Sequence, residues 1–125
     1  SLYNTMLRQA PRSYPLKDYV GYIYFSLGDY ENAELLFRES LEITGRDTIE
    51  SRMALMYIGL IQSSNGQWDE AYSTLLSSLE RYLEARETGD GFGSDPQENQ
   101  DILTISLELN NIAKQLNIEP PIKIQ

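Results

Sequence analysis

The segment VGYIYFSLGDYENAELLF covers residues 20–37, and it returns in altered form 38 residues later as IGLIQSSNGQWDEAYSTL, residues 58–75. Across this offset glycine recurs at Gly21 and Gly59 and at Gly28 and Gly66, alanine recurs at Ala33 and Ala71, and an aromatic residue recurs at Tyr30 and Trp68. Agreement at four positions with a single offset indicates an internal repeat of two units.

Each unit predicts two helices joined by a tight turn. Apolar residues recur at helical spacing on both sides of Gly28, and the same spacing recurs on both sides of Gly66. Glycine readily adopts the left-handed conformation that ends a helix, and Asp29 supplies a side-chain oxygen that can cap the next helix. The sequence therefore predicts an all-α fold made of antiparallel helix pairs.

Two glycines, Gly21 and Gly59, lie in the middle of predicted helices. Glycine costs about 1 kcal/mol relative to alanine at such a position. A close approach of two helices would compensate for this cost, so we expect Ala33 and Ala71 to face the glycine of their own unit. The aromatic residue of each unit is expected to fill the space beyond this contact.

The two units resemble tetratricopeptide repeats, whose pattern is W-x2-L-G-x2-Y followed by A-x3-F. The residues that carry the resemblance are Val20-Gly21, Tyr24, Ala33 and Phe37 in the first unit, and Ile58-Gly59, Ala71 and Leu75 in the second. The sequence departs from the pattern at Lys17, Leu55 and Gln62, and about one extra helical turn is predicted around residues 45–51. The resemblance implies a right-handed array of helix pairs.

A single domain over residues 1–125 is predicted. Its parts are the end of a preceding helix (1–10), the first unit (14–47), the second unit (48–88), a flexible loop (89–97), a capping helix (98–118) and a tail (119–125). Because the chain starts at Ser1 in the middle of an apolar pattern, we expect it to be part of a longer protein.

The resemblance also implies a binding face. In this family the first helix of each pair lines a concave groove that takes a peptide or helix of another protein. The partner-binding positions it implies here are Asp18, Tyr22, Phe25, Met53, Met56, Leu60, Ser63, Leu107, Asn111 and Lys114. The structural positions it implies are Gly21, Tyr24, Gly28, Tyr30, Ala33, Phe37, Gly59, Gly66, Trp68 and Ala71. Contact of the first set with neighbouring helices instead of a partner remains an alternative.

One class of partner is disfavoured by the residues at the groove positions. Family members that bind the acidic tails of chaperones use a clamp of lysine, asparagine and arginine. The matching positions of this chain hold Asp18, Tyr22 and Tyr57, which offer a carboxylate no cationic partner. We therefore expect no binding of such tails.

Composition narrows the functions further. The chain has 10 basic and 19 acidic residues, a net charge of −9, and neither cysteine nor histidine. The negative charge disfavours nucleic acids and anionic lipids and favours a partner of basic character. Without cysteine or histidine, the common nucleophile–base pairs and transition-metal ligands are missing, so we expect no enzyme, no metal and no cofactor. The lack of cysteine favours an intracellular setting.

We therefore predict a protein-interaction module that acts as an adaptor or regulator. The alternative is a structural spacer, or a segment that self-associates through its N-terminal helix with Leu2, Tyr3, Met6 and Leu7. No membrane insertion is expected, because no apolar run reaches the 18 residues that a spanning helix needs.

Overall fold

Helices make up the regular structure of this chain. The computed structural model describes residues 2–88 and 95–122, and no strand occurs in these two ranges. The helices are α1 (Leu2–Gln9), α2 (Tyr14–Ser26), α3 (Tyr30–Thr44), α4 (Arg52–Ser64), α5 (Trp68–Glu87) and α6 (Pro96–Leu116), and a 3₁₀ turn (Ile49–Ser51) precedes α4. The predicted all-α class is confirmed.

The turns between α2 and α3 and between α4 and α5 are built from the same backbone hydrogen bonds. The amide of Asp29 donates to the carbonyl of Tyr24 and the amide of Gln67 donates to the carbonyl of Gln62, both at 2.9 Å. The glycine of each turn is left-handed, with φ of 82° at Gly28 and 75° at Gly66. The predicted cap is confirmed, since Asp29 accepts a hydrogen bond from the amide of Asn32.

The helices pack in chain order. Helix α2 packs on α3, α3 on α4, α4 on α5 and α5 on α6, while α2 and α6 each also contact α4. The first helices of the two units and α6 therefore neighbour one another along one side of the molecule. One buried cluster joins α3 to α4 around Phe37 and Leu55, and another joins α4, α5 and α6 around Leu75 and Leu109.

The mid-helix glycines lie where the helices of a unit cross. A Cβ atom on Gly21 would lie 2.9 Å from the ring of Phe37, and one on Gly59 would lie 2.5 Å from the side chain of Leu75. The expected close approach is confirmed, and the residues nearest to the two glycines are Phe37 and Leu75. The antiparallel pairing brings Gly21 against Phe37, whose side chain points back along its helix.

Four other structural residues of the repeat lie in or against the two clusters, namely Tyr24, Ala33, Trp68 and Ala71. Ala33 and Ala71 are fully buried, and Tyr24 and Trp68 are half-buried. The ring of Tyr30 stacks on that of Phe25 with a centroid distance of 5.1 Å.

The boundaries of two predicted segments change. Helix α6 begins at Pro96 and not at residue 98, because Asp95 caps it by accepting from the amide of Gln97 at 2.9 Å and proline suits the first turn. It ends at Leu116, because Asn117 is left-handed with φ of 57°. Residues 89–94 of the predicted loop lie outside the described residues. The extra turn predicted between the units is confirmed as the 3₁₀ turn Ile49–Ser51.

The first described part of the tail folds back on α6. The side-chain amide of Asn110 donates to the carbonyl of Ile122 at 2.9 Å and accepts from its amide at 3.3 Å. Across the described residues, no helix has both the length and the apolar character that crossing a bilayer requires.

Candidate functional site

A continuous cleft lies among α2, α4 and α6, and it has two adjoining parts. We call the first the aromatic part; it has a volume of about 370 Å³, and its characteristic residues are Pro15, Tyr19, Tyr22, Met53 and Tyr57. We call the second the acidic part; it has a volume of about 320 Å³, and its characteristic residues are Tyr14, Asp18, Glu50, Tyr82, Asp95 and Asp101. Pro15, Met53, Gln97 and Asp101 border both parts.

The aromatic part combines exposed rings with a fixed ring behind them. Tyr19 is 54% exposed and Tyr22 is 46% exposed. The ring of Tyr57 lies 5.7 Å from that of Tyr22, 4.9 Å from that of Phe25 and 5.0 Å from that of the buried Phe37, with which it stacks. Burial raises the pKa of Tyr57 well above its ordinary value, so its phenol stays protonated. The core thus holds one wall of the cleft in place.

The acidic part contains a carboxylate that is almost fully buried. Asp18 is 4% exposed, and its Oδ1 atom has no hydrogen-bond partner. Burial raises the pKa of Asp18 to about 6, and the hydroxyl of Ser40 on α3 partly opposes this rise. Asp18 therefore carries a negative charge at neutral pH, and no cationic side chain among the described residues forms an ion pair with it.

A hydrogen-bonded network holds the opposite wall of the acidic part. Nη2 of Arg52 lies 2.7 Å from Oε1 of Glu98, and the guanidinium lies 5.6 Å from the ring centroid of Tyr82. The hydroxyl of Tyr82 donates to Oδ2 of Asp101 at 2.8 Å, and the side-chain amide of Gln97 donates to Oδ1 at 3.0 Å. This network joins α4, α5 and α6 and fixes the orientation of the Asp101 carboxylate.

Burial shapes the protonation of these groups. It raises the pKa of Tyr82 far above its ordinary value, so that the phenol remains a donor. Burial also raises the pKa of Asp101, against the hydrogen bonds from Tyr82 and Gln97. Burial by itself would lower the pKa of Arg52, but the hydrogen bond and the charge of Glu98 outweigh it and raise the pKa. The Arg52 guanidinium therefore stays charged beside Glu98.

The charges of the acidic part do not balance. The Arg52 guanidinium is paired with Glu98. Four further carboxylates line the cleft without an ion-pair partner in the described residues, namely Asp18, Glu50, Asp95 and Asp101. Among residues 2–88 and 95–122, no group of three or more acidic side chains is placed to hold a metal ion. The arrangement can attract and hold an organic cation beside aromatic rings.

The structure brings together only part of the predicted partner-binding set. Asp18, Tyr22 and Met53 line the cleft. Phe25 and Leu60 are half-buried against the two clusters. Met56 is 2% exposed and belongs to the cluster around Leu75, so we remove it from the candidate surface. Ser63 is also buried, and its hydroxyl donates to Glu108 on α6 at 2.5 Å.

The three predicted positions on α6 are exposed, but none borders the cleft. They are Leu107, Asn111 and Lys114. Helix α6 faces the cleft with Gln97 and Asp101, and Leu107 follows Asp101 by six residues, which turns it about 120° away around the helix. The three predicted positions therefore lie on a different face of α6 from the one that borders the cleft.

Several cleft residues were missed by the sequence analysis, namely Tyr14, Tyr19, Tyr82, Glu50 and Asp101, and Tyr57 was named only as a groove position that lacks the cation of the clamp. Tyr19 and Tyr57 are separated by the repeat offset of 38 residues, and this aromatic recurrence could have identified both. No sequence signal links Tyr82 with Asp101, because their contact depends on how α6 packs on α5.

Comparison with protein-family models gives no match for this chain, and comparison with curated proteins gives none either. The likeness to tetratricopeptide repeats therefore depends on the residues of the two units.

Proposed function

We propose that this chain is a protein-interaction module similar to tetratricopeptide repeats, acting as an adaptor or regulator. It binds an extended or helical segment of a partner protein in the cleft between α2, α4 and α6. The observation that carries the proposal is the continuity of this cleft across the first helices of both units and α6, with exposed tyrosines at one end and uncompensated carboxylates at the other.

The exposed rings support a binding role. Tyrosine is enriched at the energetic centres of protein interfaces, because a large rigid ring covers much apolar area and keeps a polar hydroxyl. Tyr22 contacts Tyr57, which itself stacks on the buried ring of Phe37. A partner segment would therefore meet a wall that is already ordered, which lowers the entropic cost of binding.

Charge supports a polypeptide partner over a nucleic acid. The chain has a net charge of −9, and the cleft itself is acidic. Phosphate groups would be repelled, whereas basic side chains would be attracted. The proposal assigns the chain no catalytic step and no cofactor.

The test uses purified chain and a library of random linear peptides displayed on phage. We expect a family of related peptides to be selected, and a fluorescent synthetic member to bind measurably by polarisation. Tyr22→Ala should weaken this binding at least tenfold, which corresponds to about 1.4 kcal/mol. Leu107→Ala is the matched control, because Leu107 is 52% exposed but lies outside the cleft, and it should change the affinity less than twofold.

Circular dichroism and urea unfolding of both variants establish that each is folded. Failure to select any related peptides would contradict the proposal, and so would equal losses of affinity in Tyr22→Ala and Leu107→Ala.

Self-association through α1 is a second candidate function. Helix α1 has no buried residue, Leu2 is 70% exposed, and among the described residues α1 contacts α2 alone. An apolar helix side in this position can pair with a second copy of the chain. Sedimentation over a range of concentrations tests it: a mass that rises with concentration, and no longer rises in Leu2→Asp, supports self-association, and a constant monomer mass rejects it.

A further inference from the structure

We infer that the acidic part of the cleft is a subsite for one positively charged side chain, an arginine or a lysine, of the bound segment. The inference rests on the proposed function, since it names the chemistry that the cleft selects. It concerns the region where Tyr14, Asp18, Glu50 and Asp101 face the same space.

The carboxylates of this region outnumber its cationic groups, so the region can accept a further cation. The Arg52 guanidinium is already engaged at 2.7 Å by Glu98, so these two charges largely cancel. Asp18, Glu50 and Asp101 line the same space without an ion-pair partner in the part of the chain that the structure describes. A cation that enters would meet net negative potential, strengthened by the low polarisability of the surrounding protein.

Asp18 is the second and independent observation. A carboxylate that is 4% exposed normally accepts hydrogen bonds from the protein, yet Oδ1 of Asp18 has no partner. Leaving a buried charge uncompensated is costly, and a cation placed in the adjoining space would relieve that cost without direct contact with Oδ1. Binding and the relief of this cost would therefore be coupled.

The groups around the space also suit a cationic side chain. Asp101 is held by the hydroxyl of Tyr82 and the amide of Gln97, so its remaining lone pairs have a fixed direction. Tyr14 borders the same space, and an aromatic ring attracts a guanidinium or an ammonium group. The subsite is thus ordered before a ligand arrives.

The neighbouring aromatic part determines the sequence context of the cation. Pro15 and Met53 border both parts of the cleft, so the two parts adjoin. A bound segment would place an apolar or aromatic side chain beside Tyr19 and Tyr22 and its basic side chain a short distance along the chain. The expected ligand is therefore a basic residue close to an apolar anchor, not a uniformly basic tract.

The experiment starts from the phage selection with the purified wild-type chain. We expect the selected peptides to share one arginine or lysine at a fixed distance from an apolar residue. In the synthetic peptide, replacing that arginine by citrulline, or that lysine by norleucine, should weaken binding at least tenfold. The protein variant Asp18→Asn/Glu50→Gln should cause a loss of similar size, and the two losses should not add when combined.

A second variant separates local from overall charge. Glu42→Gln/Glu119→Gln changes the net charge by the same amount at two exposed positions outside the cleft, and it should bind the peptide within twofold of wild type. Urea unfolding of both double variants verifies that they are folded.

The outcomes distinguish a failure of the cationic subsite from a failure of the proposed function. Selected peptides that share an apolar residue but no basic residue would overturn the cationic subsite and leave the proposed function standing. Full additivity of the peptide and protein changes would also overturn the subsite. If no peptide is selected, or if Tyr22→Ala binds like wild type, the proposed function fails and the subsite fails with it.

Discussion

The first helices of the two units carry different types of residue at equivalent buried positions. Lys17 and Asp18 on α2 correspond, 38 residues later, to Leu55 and Met56 on α4, and all four side chains are buried. On α4 the pair packs into the two apolar clusters. On α2 the lysine pairs with Glu39 on α3 at 2.8 Å, while the aspartate has no ion-pair partner among the described residues.

This difference teaches where the repeat departs from optimal packing. An apolar pair at these positions is demonstrably compatible with the helix geometry, because α4 carries one. A buried carboxylate without compensation costs stability, so its presence on α2 has no explanation in packing alone. The departure falls at the border of the acidic part of the cleft, as expected if the first unit gives up stability for binding.

The largest expected effect comes from neutralising Asp18. Its pKa rises from 3.8 to about 6 on folding, so the folded state binds the proton more tightly than the unfolded state. Stability must therefore fall as the pH rises through this window, by about 3 kcal/mol in total. We expect Asp18→Asn to unfold at higher urea concentration than wild type at about pH 7.5 and to lose most of this advantage at about pH 4.

Burial also raises the pKa of Asp101. Because Asp101 titrates in both proteins, the difference in stability between variant and wild type reports on Asp18. Glu42→Gln, at an exposed position on α3, is the control for the loss of one carboxylate charge and is measured at the same two pH values. If Asp18→Asn is more stable than wild type by the same amount at both pH values, the claim that Asp18 carries a destabilising buried charge is contradicted.

A smaller effect is expected at the helix crossings. Alanine at Gly59 places a Cβ atom 2.5 Å from the buried side chain of Leu75, which must move. Overpacking of this kind costs 1–3 kcal/mol, partly offset by the helix propensity of alanine, so we expect Gly59→Ala to lower the free energy of unfolding by about 2 kcal/mol. Gly21→Ala, with 2.9 Å to Phe37, should cost less, about 1 kcal/mol.

Urea unfolding measures both glycine variants, and a second substitution tests the cause. In a Leu75→Ala background the obstructing side chain is gone, so the cost of Gly59→Ala should disappear. If Gly59→Ala costs as much in the Leu75→Ala background as in wild type, contact with the Leu75 side chain is not the cause of the cost.

The fold was predictable from the sequence because its signals are local. The turns at Gly28 and Gly66 are defined by residues within five positions, whose hydrogen bonds repeat with the offset seen in the sequence. The helix cap at Asp29 is equally local and was predicted, whereas the cap at Asp95 was not. Which residue opposes each glycine was not predictable, because it depends on the register of two helices and on the direction of the Phe37 and Leu75 side chains.

The site was less predictable, for a geometric reason. A shift of one residue rotates a side chain by about 100° around a helix. Met53 lines the cleft, whereas Met56, three residues later, is buried in the core. On α6, which lacks a mid-helix glycine, no residue fixed the face, and Leu107, which was predicted to bind a partner, lies outside the cleft. The acidic part depends on the contact between Tyr82 and Asp101, which joins two helices and has no sequence signature.

The smallest expected effect concerns a pair of serines that the repeat offset relates. Ser78 and Ser40 are both fully buried, yet the hydroxyl of Ser78 donates to the carbonyl of Arg52 at 2.8 Å, whereas Oγ of Ser40 has no hydrogen-bond partner. Removing a buried hydrogen bond costs about 1 kcal/mol, while removing a hydroxyl without a partner costs little or nothing. Ser78→Ala should therefore lower the free energy of unfolding by about 1 kcal/mol. Ser40→Ala should lower it by less, because the Ser40 hydroxyl makes no hydrogen bond and only favours the charged form of Asp18. Equal losses of unfolding free energy would show that the two units satisfy their buried polar groups alike. The proposed difference between the first and second units, to which Asp18 belongs, would then lose its support.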